Sequence, residues 1–120
     1  MRLEDASKEL RVLGDSLFQF VEKLAGSRPE HRKSGDWYKV ASDARAFMYF
    51  KFVGTRARKR LPHSLMINTE WNDSLAGENV ERGNNWWGKP SADFIAVAGR
   101  SADLNLAKDF IRRAFKINGQ

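Results

Sequence analysis

Six cations crowd one stretch of this chain with no opposing charge among them. Between Asp43 and Glu70 there is no acidic residue, whereas Arg45, Lys51, Arg56, Arg58, Lys59 and Arg60 all fall there. The sequence holds 21 Lys and Arg against 15 Asp and Glu; setting these six bases aside leaves 15 against 15, so the net charge of +6 resides in this stretch. Clustered positive charge attracts polyanions by releasing their condensed counterions. An acidic protein surface satisfies it equally. A second group with chemistry to offer is Trp86, Trp87 and Lys89. Indole rings stack on unpaired bases at about 1–3 kcal/mol per contact, and cations joined to rings are what single-strand binding requires. The candidate nucleic-acid-contacting residues are therefore Arg45, Lys51, Arg56, Arg58, Lys59, Arg60, Trp86, Trp87 and Lys89. The same residues also admit a purely structural reading. Charge at a hairpin tip keeps a sheet edge from aggregating, and large aromatics commonly close over a core.

Reaction chemistry finds less to work with. Cysteine is absent, which excludes disulfides, thiol catalysis and Cys-ligated metal. His31 and His63 are far apart and lack a ligand pattern such as HExxH. His31, beside Arg32 and Lys33 in a polar segment, reads as solvent-exposed. Gly88-Lys89-Pro90 lacks the Ser or Thr and the preceding glycine of a P-loop. A metal-dependent nuclease needs acids on strands beside a lysine to hold Mg²⁺ and activate water. Glu70, Asp73 and Asp93 sit at strand ends and are the acids such a reading would use, but no Glu-x-Lys lies on a strand. The expectation is no catalytic residue, no metal ligand and no cofactor. The nuclease reading stands as an alternative.

These residues must be carried by a scaffold, and the apolar pattern outlines it. Leu3, Ala6, Leu10, Leu13, Leu17, Phe20 and Leu24 recur at spacings of three and four, the stripe of an N-terminal helix. Gly14-Asp15-Ser16 is a point where that helix would kink or divide. The stripe is expected to pack on a sheet, with a homodimer seam through this helix as the other use. Residues 26–36 are polar with Pro and Gly punctuation and read as a loop. Residues 37–41 suggest a short strand with Trp37 and Val40 pointing inward. Residues 47–53 are aromatic and β-branched, and 65–67 are apolar, so the basic segment 55–60 becomes the tip of an antiparallel pair at the centre of a sheet. The stretch 72–91 is rich in Asn, Gly, Asp and Ser, a long connection of the kind that carries function. Residues 92–98 form a compact apolar run and read as a buried strand. Ser101 then caps a final helix whose face is Leu104, Ala107, Phe110, Ile111, Ala114 and Phe115, ending at Asn118-Gly119.

The length of 120 residues suits one domain, spanning 1–120, with a single core. No apolar run approaches the roughly 18 residues of a membrane span, and the N-terminus has no signal-peptide apolar region. A cytoplasmic protein is expected. Trp87-Gly88 and the run Asp109-Phe110-Ile111-Arg112-Arg113-Ala114-Phe115 resemble an uncharacterised prokaryotic domain family found alone or behind nuclease-like and "predicted transport" regions. The chain also looks distantly similar to the YjbR-type fold, a small domain suggested to bind DNA. The resemblance implies an α+β fold; the basic 55–60 segment is not placed by the family pattern. The expected architecture is α+β, a mostly antiparallel sheet of about three to five strands flanked by an N-terminal and a C-terminal helix. The expected role is a small basic binding module for DNA or RNA. An accessory protein of a phage, plasmid or defence system docking on an acidic protein surface is the first alternative.

Overall fold

The computed structural model describes residues 1–42, 45–53, 64–68, 80–82, 91–95 and 101–118. A 3-10 turn at Leu3–Asp5 leads into helix α1, Lys8–Ala25. Ser7 caps α1, its hydroxyl accepting from the Leu10 amide at 3.4 Å, and Gly26 ends it in the left-handed conformation with φ 79°. The kink or division expected at Gly14-Asp15-Ser16 does not occur: α1 runs through these residues unbroken. Gly14 has a different task. A Cβ there would lie 2.6 Å from Leu3 Cδ1 and 2.9 Å from Phe52 Cζ, so only hydrogen fits where α1 meets the sheet. The buried face is Leu10, Gly14, Leu17, Phe18 and Val21, rotated from the expected stripe, with Leu13, Phe20 and Leu24 partly buried at its margin.

Among the described residues six strands follow: β1 Glu30–Arg32, β2 Trp37–Ser42, β3 Arg45–Val53, β4 Ser64–Asn68, β5 Val80–Arg82 and β6 Ser91–Ile95. Helix α2, Ser101–Asn118, comes last. The strands form one sheet in the order β1-β2-β3-β4-β6-β5, each neighbouring pair antiparallel. The architecture is the expected α+β arrangement with a helix before and a helix after an antiparallel sheet. The strand number exceeds the expectation because β1 and β5, of three residues each, lie inside the segments 26–36 and 72–91 that read as connections. Three residues are too few for an alternating pattern to register.

The β3–β4 pair is antiparallel and lies inside the sheet, with Phe50 opposite Ile67 and Phe52 opposite Leu65. Side-chain alternation assigns the two faces. On the helix side Val40, Phe50, Leu65 and Ile67 are fully buried, as are Ala107, Phe110 and Ile111 of α2. Phe18 of α1 reaches into this layer, edge-on to Tyr38 at 4.9 Å and stacked on Phe50 at 5.5 Å. A bulge shifts the β2–β3 register so that Val40 opposes Met48 while Ala41 opposes Ala46. Phe47 is the extra residue, which lets Phe47 and Met48 be buried in succession. Phe47 meets Phe115 of α2 edge-on at 5.3 Å. The helices also touch each other: Lys108 and Arg112 of α2 sit over the Phe20 ring of α1, 5.4 and 5.0 Å from its centroid. Both helices thus cover the same face.

Candidate nucleic-acid interface

Strand direction divides the candidate residues between the two ends of the sheet. β3 runs from Arg45 to Val53, and Val53 pairs with Ser64, so the basic connection 54–63 is rooted at one end. Ser64 in turn pairs with Ile95 and Asn68 with Ser91, which places the start of β6 at the other end. The connection 83–90 joins Arg82 to Ser91 and is rooted there. The two roots are separated by the length of β4, about 13 Å along the strand. Arg45, paired with Ser42, belongs to the Ser91 end. Lys51, half-buried, pairs with Met66 at the middle of β4, two residues before Val53. Arg56, Arg58, Lys59 and Arg60, and likewise Trp86, Trp87 and Lys89, lie outside the described residues. The anchors of the basic segment and of the Trp segment are therefore not neighbours.

The face opposite the helices carries residues that sequence reading did not select. Trp37, expected to point inward, lies on this face; Tyr38, Val40 and Ser42 take the inward positions, as strict alternation from Val40 requires. The spacing of three between Trp37 and Val40 was the available signal, since residues three apart on a strand face opposite ways. Trp37 is half-buried and meets Tyr49 edge-on at 4.3 Å. It is also held by the turn before it, where a Cβ on Gly35 would come within 2.7 Å of the indole Cδ1. One row across this face reads Arg32, Trp37, Lys51, Met66, since Arg32 pairs with Trp37, Tyr38 with Phe50 and Lys51 with Met66. The adjacent row holds Glu30, Lys39 and Tyr49. Arg32, Lys39 and Lys51 thus bring three cationic positions together on this face across β1 to β3. Burial pushes the Tyr49 phenol up, and the nearby charge of Arg32 opposes that push.

The β1–β2 turn stands at the same sheet end as the root of 54–63. Asp36 donates its amide to the Lys33 carbonyl at 3.2 Å, and Gly35 supplies the positive φ of 84° that the third turn position takes. Asp36 itself adopts φ 53°. Its carboxylate receives the Met1 ammonium on one oxygen and His31 Nε2 on the other, the latter at 2.8 Å. The Met1 ammonium, then His31, hold the Asp36 carboxyl below the usual carboxylate range. Met1 also donates to the Phe52 carbonyl at 3.0 Å, and the Tyr38 hydroxyl accepts from the Leu3 amide at 2.9 Å. His31, expected in solvent, has a side chain only 12% exposed and lies edge-on to Tyr38 at 5.1 Å. Its position opposite Tyr38 in the β1–β2 register explains this, because the short strand β1 turns His31 inward.

For metal chemistry, no group of three or more His, Asp or Glu gathers among the described residues. Asp93 is in the middle of β6 rather than at its start, and its register partner is Glu81; Glu70 and Asp73 lie outside the described residues. Among the described residues no helix is long and apolar enough to cross a membrane. Of the residues behind the family resemblance, Phe110, Ile111 and Ala114 are buried, Phe115 packs on Phe47, and Arg112 and Arg113 are exposed, with Arg112 paired to Asp109 at 2.9 Å. Trp87 and Gly88 lie outside the described residues. No family model matches the chain, no curated protein matches it, and no solved structure matches it.

Proposed function

We propose that this protein is a non-enzymatic nucleic-acid-binding module whose contact with the phosphate backbone is the basic connection between β3 and β4. The observation that carries this reading is the charge distribution: the whole excess of +6 falls between Asp43 and Glu70, on a hairpin that belongs to the inner strands of the sheet. Arg56, Arg58, Lys59 and Arg60 would neutralise phosphates, with Lys51 beside their root. Such contacts position a nucleic acid without reading its bases. Trp86, Trp87, Lys89 and Arg45 would make a separate second contact, since their anchors stand at the opposite sheet end. Any binding through both sites requires a ligand long enough to pass along the sheet.

The test is fluorescence anisotropy with labelled single-stranded and duplex oligonucleotides, comparing the wild type with a combined Arg56, Arg58, Lys59 and Arg60 to Ala variant. The variant should stay folded by circular dichroism and lose most of its affinity. Its plot of log affinity against log salt should be shallower by about 3, at roughly 0.7 per phosphate contact on a single strand. Absence of wild-type binding at low salt removes the reading. A complex with a protein partner that survives nuclease treatment would instead support the accessory-protein alternative.

A further inference from the structure

The face away from the helices has a composition that the hairpin tip alone does not require. Arg32, Trp37 and Lys51 lie side by side across β1, β2 and β3, a ring with a cation on either side. Neighbouring strands are about 4.8 Å apart, so the three side chains form one continuous strip. The indole is held rather than loose, bounded by Gly35 on its own turn and by the Tyr49 ring 4.3 Å away. Lys39, half-buried in the next row, adds a third cation beside Tyr49. One acid borders the strip. Glu30 pairs with Arg32 at 3.6 Å, with exposures of 66% and 41%, a surface contact weak enough for a phosphate to displace. The strip adjoins the end of β3 from which the basic connection departs.

We propose that this strip is a base-stacking subsite that makes the protein prefer single-stranded over duplex nucleic acid, with Trp37 as the stacking ring and Arg32 and Lys51 as its phosphate contacts. The inference rests on the nucleic-acid reading above and adds to it the strandedness of the partner. A duplex presents phosphates to the hairpin equally well but keeps its bases paired, so a ring on the sheet gains nothing from it. A single strand led from the basic connection onto the sheet offers both. Charge complementarity places the strand along Arg32, Lys39 and Lys51, across β1 to β3.

The experiment measures anisotropy of a labelled single strand and of the duplex of the same sequence, for wild type, Trp37→Leu, Trp37→Phe and the double variant Arg32→Gln, Lys51→Gln. Trp37→Leu should weaken single-strand binding about tenfold and leave duplex binding unchanged, while Trp37→Phe, which keeps a ring, stays near wild type. Single-strand affinity unchanged in Trp37→Leu overturns the subsite and leaves the nucleic-acid reading standing. Wild type that binds neither probe at low salt overturns both. Should Trp37→Leu fail to fold by circular dichroism, the double variant decides: its single-strand to duplex affinity ratio should fall, and an unchanged ratio overturns the proposal. Polyglutamate that displaces the single strand as well as unlabelled oligonucleotide does also overturns it, since the strip would then recognise acidic polypeptide charge alone.

Discussion

The two faces of the sheet are built from the same strands and do opposite things. Toward the helices, Val40, Phe50, Leu65 and Ile67 are fully buried and interlock with Phe18, Phe110 and Ile111. Away from the helices, alternate residues of the same strands are Trp37, Lys39, Tyr49, Lys51 and Met66, of which all but Tyr49 are half-buried. The first face is uniform in chemistry and dense with rings. The second mixes rings with cations, Trp37 and Tyr49 beside Lys39 and Lys51. A period of two along each strand is all that separates them, so a face can be altered without touching its reverse. The first face is expected to govern stability and the second recognition.

The largest effect should come from the covered face. Phe50→Ala removes a ring stacked on Phe18 and leaves a cavity between α1 and the sheet, costing about 3–5 kcal/mol in chemical denaturation. Next is the helix–sheet contact at Gly14. Alanine there gains about 1 kcal/mol of helix propensity, but its Cβ meets the buried Phe52 ring, and such overpacking costs about 1–3 kcal/mol. Because Phe52 is a ring of the buried core, only 1% exposed, Gly14→Ala should lower the melting temperature. A rise would show that the close approach is looser than described. On the other face Lys51→Gln should shift stability by less than about 0.5 kcal/mol yet lower single-strand affinity. Equal loss of stability from Lys51→Gln and Phe50→Ala would erase the distinction between the faces.

The smallest expected effect lies at the β1–β2 turn. The Asp36 carboxyl is held below its ordinary value of 3.8 by the Met1 ammonium and His31. A depressed carboxyl contributes stability above its unfolded value and loses it as pH falls through the folded one. Wild type should therefore lose stability below about pH 4, and Asp36→Asn should flatten part of that acid limb. The side chain is half exposed, so the change is small. Identical acid limbs in the two proteins would show that the ion pair adds nothing.

Much of the fold was legible because long elements write their period into the sequence. The α2 face of Leu104, Ala107, Phe110, Ile111, Ala114 and Phe115 packs inward as spacing predicts, and the helix ends at Asn118 as expected. The β3–β4 pairing followed from two apolar runs around a polar connection. What escaped was local. β1 and β5 are too short to show alternation, Gly14 looked like a break because its packing partner Phe52 is 38 positions away, and His31 looked exposed because the residue that covers it, Tyr38, acts through the register. The candidate site was half legible. Charge counting located the basic hairpin, but which end of the sheet each connection leaves from depends on strand pairing, a property of no single residue. Trp37 was misassigned for the simpler reason that inward spacing of three suits a helix and not a strand.

If the charge concentrated between Asp43 and Glu70 holds nucleic acid, binding must weaken steeply as salt rises. Measuring wild-type affinity for a labelled single strand across roughly 50–200 mM salt tests it most directly. Five phosphate contacts, from Arg56, Arg58, Lys59, Arg60 and Lys51, predict a log–log slope of about −3.5 and an affinity loss on the order of 100-fold over that range. A flat salt dependence, or no binding at the lower concentration, would contradict it.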